Sequence, residues 1–452
     1  MPRAVNSEHA HEPSENGYMT PREEHFEAGG GVARPTNRGR DKSHTDSISA
    51  NGFFQAHDPE SLARMISNAR KNRHGKKIGI RDRICCYQWT WFTMTMATGG
   101  IANVFHSIWV AYRASWLYYI GLVFFLFNMS LFAMNCVLIT MRFRMVPGSF
   151  THSFTDQVES LFIPAVFVST GTILINICEF GIPYASRWLV KVMLVMFWVY
   201  GGVSVVASAA MYLVLWSTQV FPIHTMTPVW VFPAYPLLLT APFAGNLILS
   251  AVSANEHPGF NFTPMAFCAV AIQGTGFLIS FMICAAFIYR LMTQKLPRDA
   301  QRPGVFISVG PSGFTVAGLV LLGQKAEAIV PASFGSQEHA VIILRIVSNL
   351  MGLWLWGLSV WFFLVSVGSL WKYVRPEHSM PFQMTWWSFV FPNTALVTAT
   401  LALATALNSA GLRICGCVMA ACLTVVWLLV FVTMLRCLWK RQLLWPKELD
   451  SK

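Results

Sequence analysis

A chain of 452 residues that is 54% hydrophobic and only 12% charged, with a mean hydropathy of +0.48, reads as a polytopic membrane protein and leaves no room for a large soluble enzyme domain. The formal net charge is +12, and ten cysteines lie scattered, nearly all inside apolar runs, with neither a disulfide framework nor a metal-ligand spacing.

Residues 1–83 are rich in Ser, Asn, His, Gly and charge and contain no apolar run. Such a composition cannot offset the entropy of ordering, so a disordered, basic cytoplasmic tail is expected there. The first thirty residues show no apolar segment of the signal-peptide kind. Arg70, Lys71, Arg73, Lys76, Lys77, Arg81 and Arg83 crowd against the first apolar run. A cluster of this kind suits nucleic acid in other contexts; beside a membrane helix it reads as an anchor on anionic lipid.

Ten candidate spans follow, near 86–108, 117–141, 159–179, 191–216, 229–253, 260–289, 304–324, 340–371, 382–408 and 413–436. The loops after spans 2, 6 and 8 hold Arg142 and Arg144, then Arg290, Lys295, Arg298 and Arg302, then Lys372 and Arg375. The opposite loops hold few basic residues. This alternation places both termini in the cytoplasm and demands an even number of spans. The transporter domain is thus expected over 84–438, with a short cytoplasmic tail over 439–452.

Helix breakers alternate too. They sit in the odd spans: Gly99 and Gly100, then Pro164, then Pro233, Pro236 and Pro242, then Pro311, then Pro392. Even spans lack internal proline apart from Pro264, which falls near the start of span 6. Breaks at membrane depth are tolerated where the freed backbone faces protein or a water-filled path. Five hairpins are therefore expected, the broken member of each facing inward and the smooth member facing lipid. Span 9 carries the sharpest signal, with Phe391 beside Pro392 near the middle of its apolar run.

The acids between Ile84 and Lys440 fall in loops or at span ends, which leaves no mid-membrane carboxylate of the kind that cation pumps use. No metalloprotease helix motif, phosphate-binding loop or nucleophile elbow is present, so no enzyme and no cofactor is expected. Arg345 is the one basic residue clearly inside a span. It either snorkels to the outer surface or attracts anions to the outer mouth. Amides and hydroxyls on the odd spans, with the N–H groups freed at helix breaks, would suit an anion without a fixed positive charge in its path.

Five blocks then point to a known family: Trp91-Phe-Thr-Met-Thr-Met-Ala-Thr-Gly-Gly, Thr225-Met-Thr-Pro-Val-Trp-Val-Phe-Pro-Ala-Tyr-Pro, Gln273-Gly-Thr-Gly-Phe-Leu-Ile-Ser-Phe-Met, Arg302-Pro-Gly-Val-Phe-Ile-Ser-Val-Gly-Pro-Ser-Gly-Phe-Thr and Trp386-Trp-Ser-Phe-Val-Phe-Pro-Asn-Thr. From Trp89 to Arg436 the chain resembles the tellurite-resistance/dicarboxylate transporter family, and within it the fungal malic acid transport proteins. The resemblance implies an all-α fold of ten transmembrane helices, arranged as five hairpins around a central pore as in slow anion channels. It also implies that a phenylalanine of the ninth helix, here Phe391, occludes that pore, with kink and pore-lining candidates at Gly99, Gly100, Pro164, Pro242, Pro311 and Pro392. The expected function is transport of four-carbon dicarboxylates, malate first and succinate or malonate after it, proton-linked or channel-like. The expected setting is the plasma membrane, with lipid and small organic anions as partners, no nucleic acid, and a homotrimer as relatives form. Sulfite efflux is the alternative within the family; a membrane receptor with a signalling tail is the alternative outside it.

Overall fold

The computed structural model describes residues 79–445, apart from 113, 186, 256–258, 332, 334, 376 and 378–379. The expected tails over 1–83 and 439–452 accordingly lie outside the described residues up to 78 and from 446 onward. Arg81 and Arg83, the last of the basic cluster, ride on a short helix, Ile80–Cys85.

Ten long helices make up the body: α1 (Phe92–Tyr112), α2 (Ser115–Met145), α3 (Ala165–Phe180), α4 (Arg187–Thr218), α5 (Thr240–Ser253), α6 (Thr263–Gln294), α7 (Val309–Gln324), α8 (Gln337–Ser369), α9 (Phe391–Ala406) and α10 (Ala410–Trp439). No strand occurs among the described residues. The even helices run unbroken for 30 to 33 residues. Four of the five odd helices are only 14 to 16 residues long. At 1.5 Å per residue such a helix covers only about three-quarters of the ~30 Å hydrocarbon core, and a second segment completes each crossing. These segments are Glu159–Phe162 before α3, and the 3-10 turns Pro228–Leu239 before α5, Asp299–Ser308 before α7 and Met384–Phe389 before α9. A shorter 3-10 turn, Trp89–Trp91, leads into α1.

With those segments included, nine spans among the described residues are long and apolar enough to cross a bilayer. The tenth, α1, has the length at 21 residues, but its threonines, Asn103 and His106 lower its apolarity, a composition suited to protein contact and not to lipid. Burial sorts the two classes. In the most apolar stretch of each span, 72% to 83% of residues are buried in the inner spans of α3, α5, α7 and α9, against 22% to 33% in the outer helices.

The inner helices pack in a closed ring, α1 on α3, α3 on α5, α5 on α7, α7 on α9 and α9 back on α1. Each outer helix lies on its own inner partner and on the next inner helix as well, so that α2 touches α1 and α3, α6 touches α5 and α7, and α10 touches α9 and α1. Without a hydrophobic force between helices in lipid, such contacts need small residues and buried polar bonds. A methyl group on Gly313 of α7 would lie 2.9 Å from the backbone carbon of Ala395 in α9, so this crossing accepts only glycine. Asn176 donates to the Gly99 carbonyl at 3.1 Å, Thr95 and Ser169 share a bond of 2.7 Å, and Trp356 donates to Thr400 at 2.9 Å.

Candidate functional site

Backbone groups released at the breaks are taken up by side chains of neighbouring helices, as a broken helix at membrane depth requires. Tyr235 donates to the Ile307 carbonyl at 2.5 Å, Tyr200 to the Pro236 carbonyl at 3.0 Å and Ser359 to the Val309 carbonyl at 2.9 Å. The Ala241 N–H, an orphan donor in the first turn of α5, is accepted by Gln273 Oε1 of the outer helix α6 at 3.2 Å, and Gln273 in turn donates to Thr315 at 2.9 Å.

The expected breakers do two different things. Pro164 precedes the first residue of α3, Pro242 and Pro311 are third in α5 and α7, and Pro392 is second in α9. A first turn needs no N–H from those positions, so the prolines start helices and do not bend them. Span 9 therefore has no kink at its centre: the helix begins at Phe391 after a 3-10 turn. Gly99 and Gly100 break nothing, since α1 runs straight through them. A methyl group on Gly99 would meet Asn128 and Thr172 at 2.7 Å, and one on Gly100 would meet Thr394 at 2.7 Å, so both are close-approach positions for neighbouring helices.

At the depth where the inner helices start, their rings converge. Phe391 is 3% exposed and lies 5.1 Å from the Phe314 ring and 6.0 Å from the Tyr235 ring, centroid to centroid. Tyr235 stacks on Phe232 at 5.3 Å, and Phe232 contacts Phe162 at 5.0 Å. Spans 3, 5, 7 and 9 thus each supply a ring. A small cavity of about 10 Å³, room for a single water, adjoins this cluster. Thr93 and Met96 of α1, Phe232 and Tyr235 of span 5 and Ile307 of span 7 line it on one side; Trp387, Ser388, Phe391 and Pro392 of span 9 close it. No charged side chain is among the lining residues.

Arg345 lies away from this cavity. It is 40% exposed and donates to Glu327 at 3.1 Å, itself 77% exposed, so the residue has a carboxylate partner at the surface.

One buried ion pair and one buried carboxylate–imidazole contact went unread in the sequence. Arg142, at the end of α2, grips both Glu159 oxygens across the turn to span 3, with the second bond at 3.0 Å, and the Glu159 carboxylate also accepts from the Trp89 N–H at 3.3 Å. Arg142 is 7% exposed and Glu159 2%. Glu179, fully buried, faces His106 at 3.6 Å. His106 is 4% exposed and packed against Trp109 and Phe180. Glu159 and Glu179 do lie at span ends as expected, but the neighbouring helices seal these two from water. The signal was positional: His106 and Glu179 each fall fourteen residues past the start of their helices, α1 and α3. On two neighbouring inner helices, that spacing gives one depth.

Residues 86–435 match the family described as voltage-dependent anion channel. The malic acid transport protein of Schizosaccharomyces pombe is 26% identical over 378 residues, 83% of this chain and 84% of its own. A second protein of that yeast, provisionally named for malic acid transport, is 28% identical over 375 residues, 82% of this chain and 84% of its own. The sulfite efflux pump of Trichophyton rubrum is 24% identical over 344 residues, 75% of this chain and 88% of its own.

Proposed function

The chain belongs to the voltage-dependent anion channel family, and from that premise we propose that it carries four-carbon dicarboxylates, malate first and succinate or malonate after it, along the axis of its inner ring. The observation that carries this reading is the similarity to proteins named for malic acid transport, 26% to 28% identical over more than four-fifths of the chain, against 24% for the sulfite pump.

The cavity supports it chemically. With no fixed cation in its wall, it would not trap a dianion, while the N-terminal ends of the inner half-helices present partial positive charge at the depth where they begin. Phe391 is the gate in this reading: its ring, wedged against Tyr235 and Phe314, makes an apolar constriction that excludes water and so blocks ions without any charge. Pro164, Pro242, Pro311 and Pro392 fix where the half-helices start, and Gly99 and Gly100 let the ring close. The cavity wall offers no carboxylate to carry a proton, so proton linkage runs through the substrate's own carboxyl group. Moving a monoanion inward against 100 mV costs about 2.3 kcal/mol, which a co-transported proton offsets and which outward flow does not meet. Neither a catalytic step nor a cofactor enters this function. The reading places the protein in the plasma membrane as a trimer, with both termini cytoplasmic and the basic tail against anionic lipid.

Proteoliposomes offered labelled malate, succinate and sulfite side by side provide the test. Saturable malate and succinate uptake, raised by an inward proton gradient, is the expected result. Flux confined to sulfite would replace this function with sulfite efflux.

A further inference from the structure

Among the residues that line the cavity, one buried polar side-chain atom has no partner. Trp387 is 0% exposed, lines the cavity together with Phe391, and its indole N–H reaches no acceptor. An unsatisfied buried donor costs about 1–3 kcal/mol, so its retention in a packed wall calls for an explanation. An indole donates only, and so suits an anion and never a cation.

The surroundings narrow the choice. The Thr93 hydroxyl is already given to the Thr90 carbonyl at 2.6 Å and the Tyr235 hydroxyl to the Ile307 carbonyl, so neither has a proton to spare. Ser388, 5% exposed on the same wall, adds a hydroxyl, and α9, sixteen residues long, begins at the cavity with its positive end. Ring contacts with Trp427 and Phe431 of α10, at 6.3 Å and 6.5 Å, hold the indole plane from behind.

We propose that the Trp387 N–H, with the Ser388 hydroxyl and the first turn of α9, forms an oxyanion site that takes one carboxylate of the substrate once the Phe391 ring has moved aside. This rests on the dicarboxylate reading above, and it makes Trp387 a substrate-binding residue. When the ring swings aside it uncovers these donors, an organic monoanion docks its ionised end on them, and the anion then passes into the path beyond.

The test replaces Trp387 with benzothienylalanine, which keeps the bicyclic outline and its packing on Trp427 but exchanges N–H for sulfur, and separately with Phe. In proteoliposomes the sulfur variant should raise KM for malate about tenfold or more, the loss typical of one hydrogen bond to a charged group, with surface level unchanged. In parallel, titration of the ¹⁵N-labelled full-length protein with malate and with sulfite should shift one indole N–H resonance, identified by its absence from Trp387→Phe. A shift with malate but not sulfite assigns the site to carboxylates; a shift with both assigns it to oxyanions in general. Unchanged KM in the sulfur variant, or an indole resonance unmoved by saturating amounts of either anion, overturns the proposal. Wild-type protein that moves no malate yet shows the shift would refute the transport reading and leave the site standing.

Discussion

Cutting Phe391 back to Ala removes a ring that touches both Tyr235 and Phe314. Truncating a packed phenylalanine typically costs about 3–5 kcal/mol of stability; beside an existing cavity, water fills the vacated space and the path wets. The variant should reach the membrane at the wild-type level and pass more anion with weaker saturation, chloride and nitrate gaining most in current recordings. Well-expressed protein with unchanged current would remove Phe391 from the gate. Arg142 makes a different kind of prediction. Its bidentate grip leaves Glu159 a buried, compensated charge, and Arg142→Met should destabilise the fold by about 3–5 kcal/mol, seen as a lower melting temperature of the detergent-solubilised protein. Restoring stability with the additional change Glu159→Gln would identify the stranded charge as the cause. At Arg345 the exposed pairing with Glu327 leaves little field for the outer mouth, since surface pairs are worth about 0–1 kcal/mol. Arg345→Gln should alter KM for a monoanion and a dianion equally; a larger rise for the dianion would return the residue to anion attraction.

At the scale of the helix, the crossing of α7 and α9 sets the tightest tolerance. Because the atom met by a methyl group on Gly313 is backbone and not a flexible side chain, Gly313→Ala should push α9 aside and lower the yield of folded protein, measured by size-exclusion chromatography. The ten apolar stretches and the inward place of the proline-bearing ones were legible because hydropathy and helix breaking depend on local composition. What the prolines do was not legible: a Pro in an apolar run reads as a kink until the 3-10 turn before it shows the helix starting there, as at Met384–Phe389. The partner of Glu179 was hidden for a related reason, since a carboxylate at a span end looks wet until the neighbouring helix covers it. Phe391 drew notice through the resemblance in its block and its gating role stands as a proposal, whereas Trp387 in the same block gave no sign that its N–H would lack an acceptor.

For the whole molecule, loop charge makes orientation a prediction. Accessibility tags after Arg144, after Arg298 and at Lys452 should all report cytoplasm, and one near Glu327 the outside; opposite sides for the two termini would break the pairing into five hairpins. Deleting residues 1–78 should leave anion flux intact, whereas a receptor would show no flux in either form. The outer helices carry a further consequence. Because each straddles two neighbouring inner helices, the bundle resembles staves bound by overlapping hoops, and no stave can lean outward without dragging the hoops on either side. Widening is then an all-or-none event shared around the ring. Single-molecule current through the Phe391→Ala protein should show one open level per protomer, with no ladder of five partial ones.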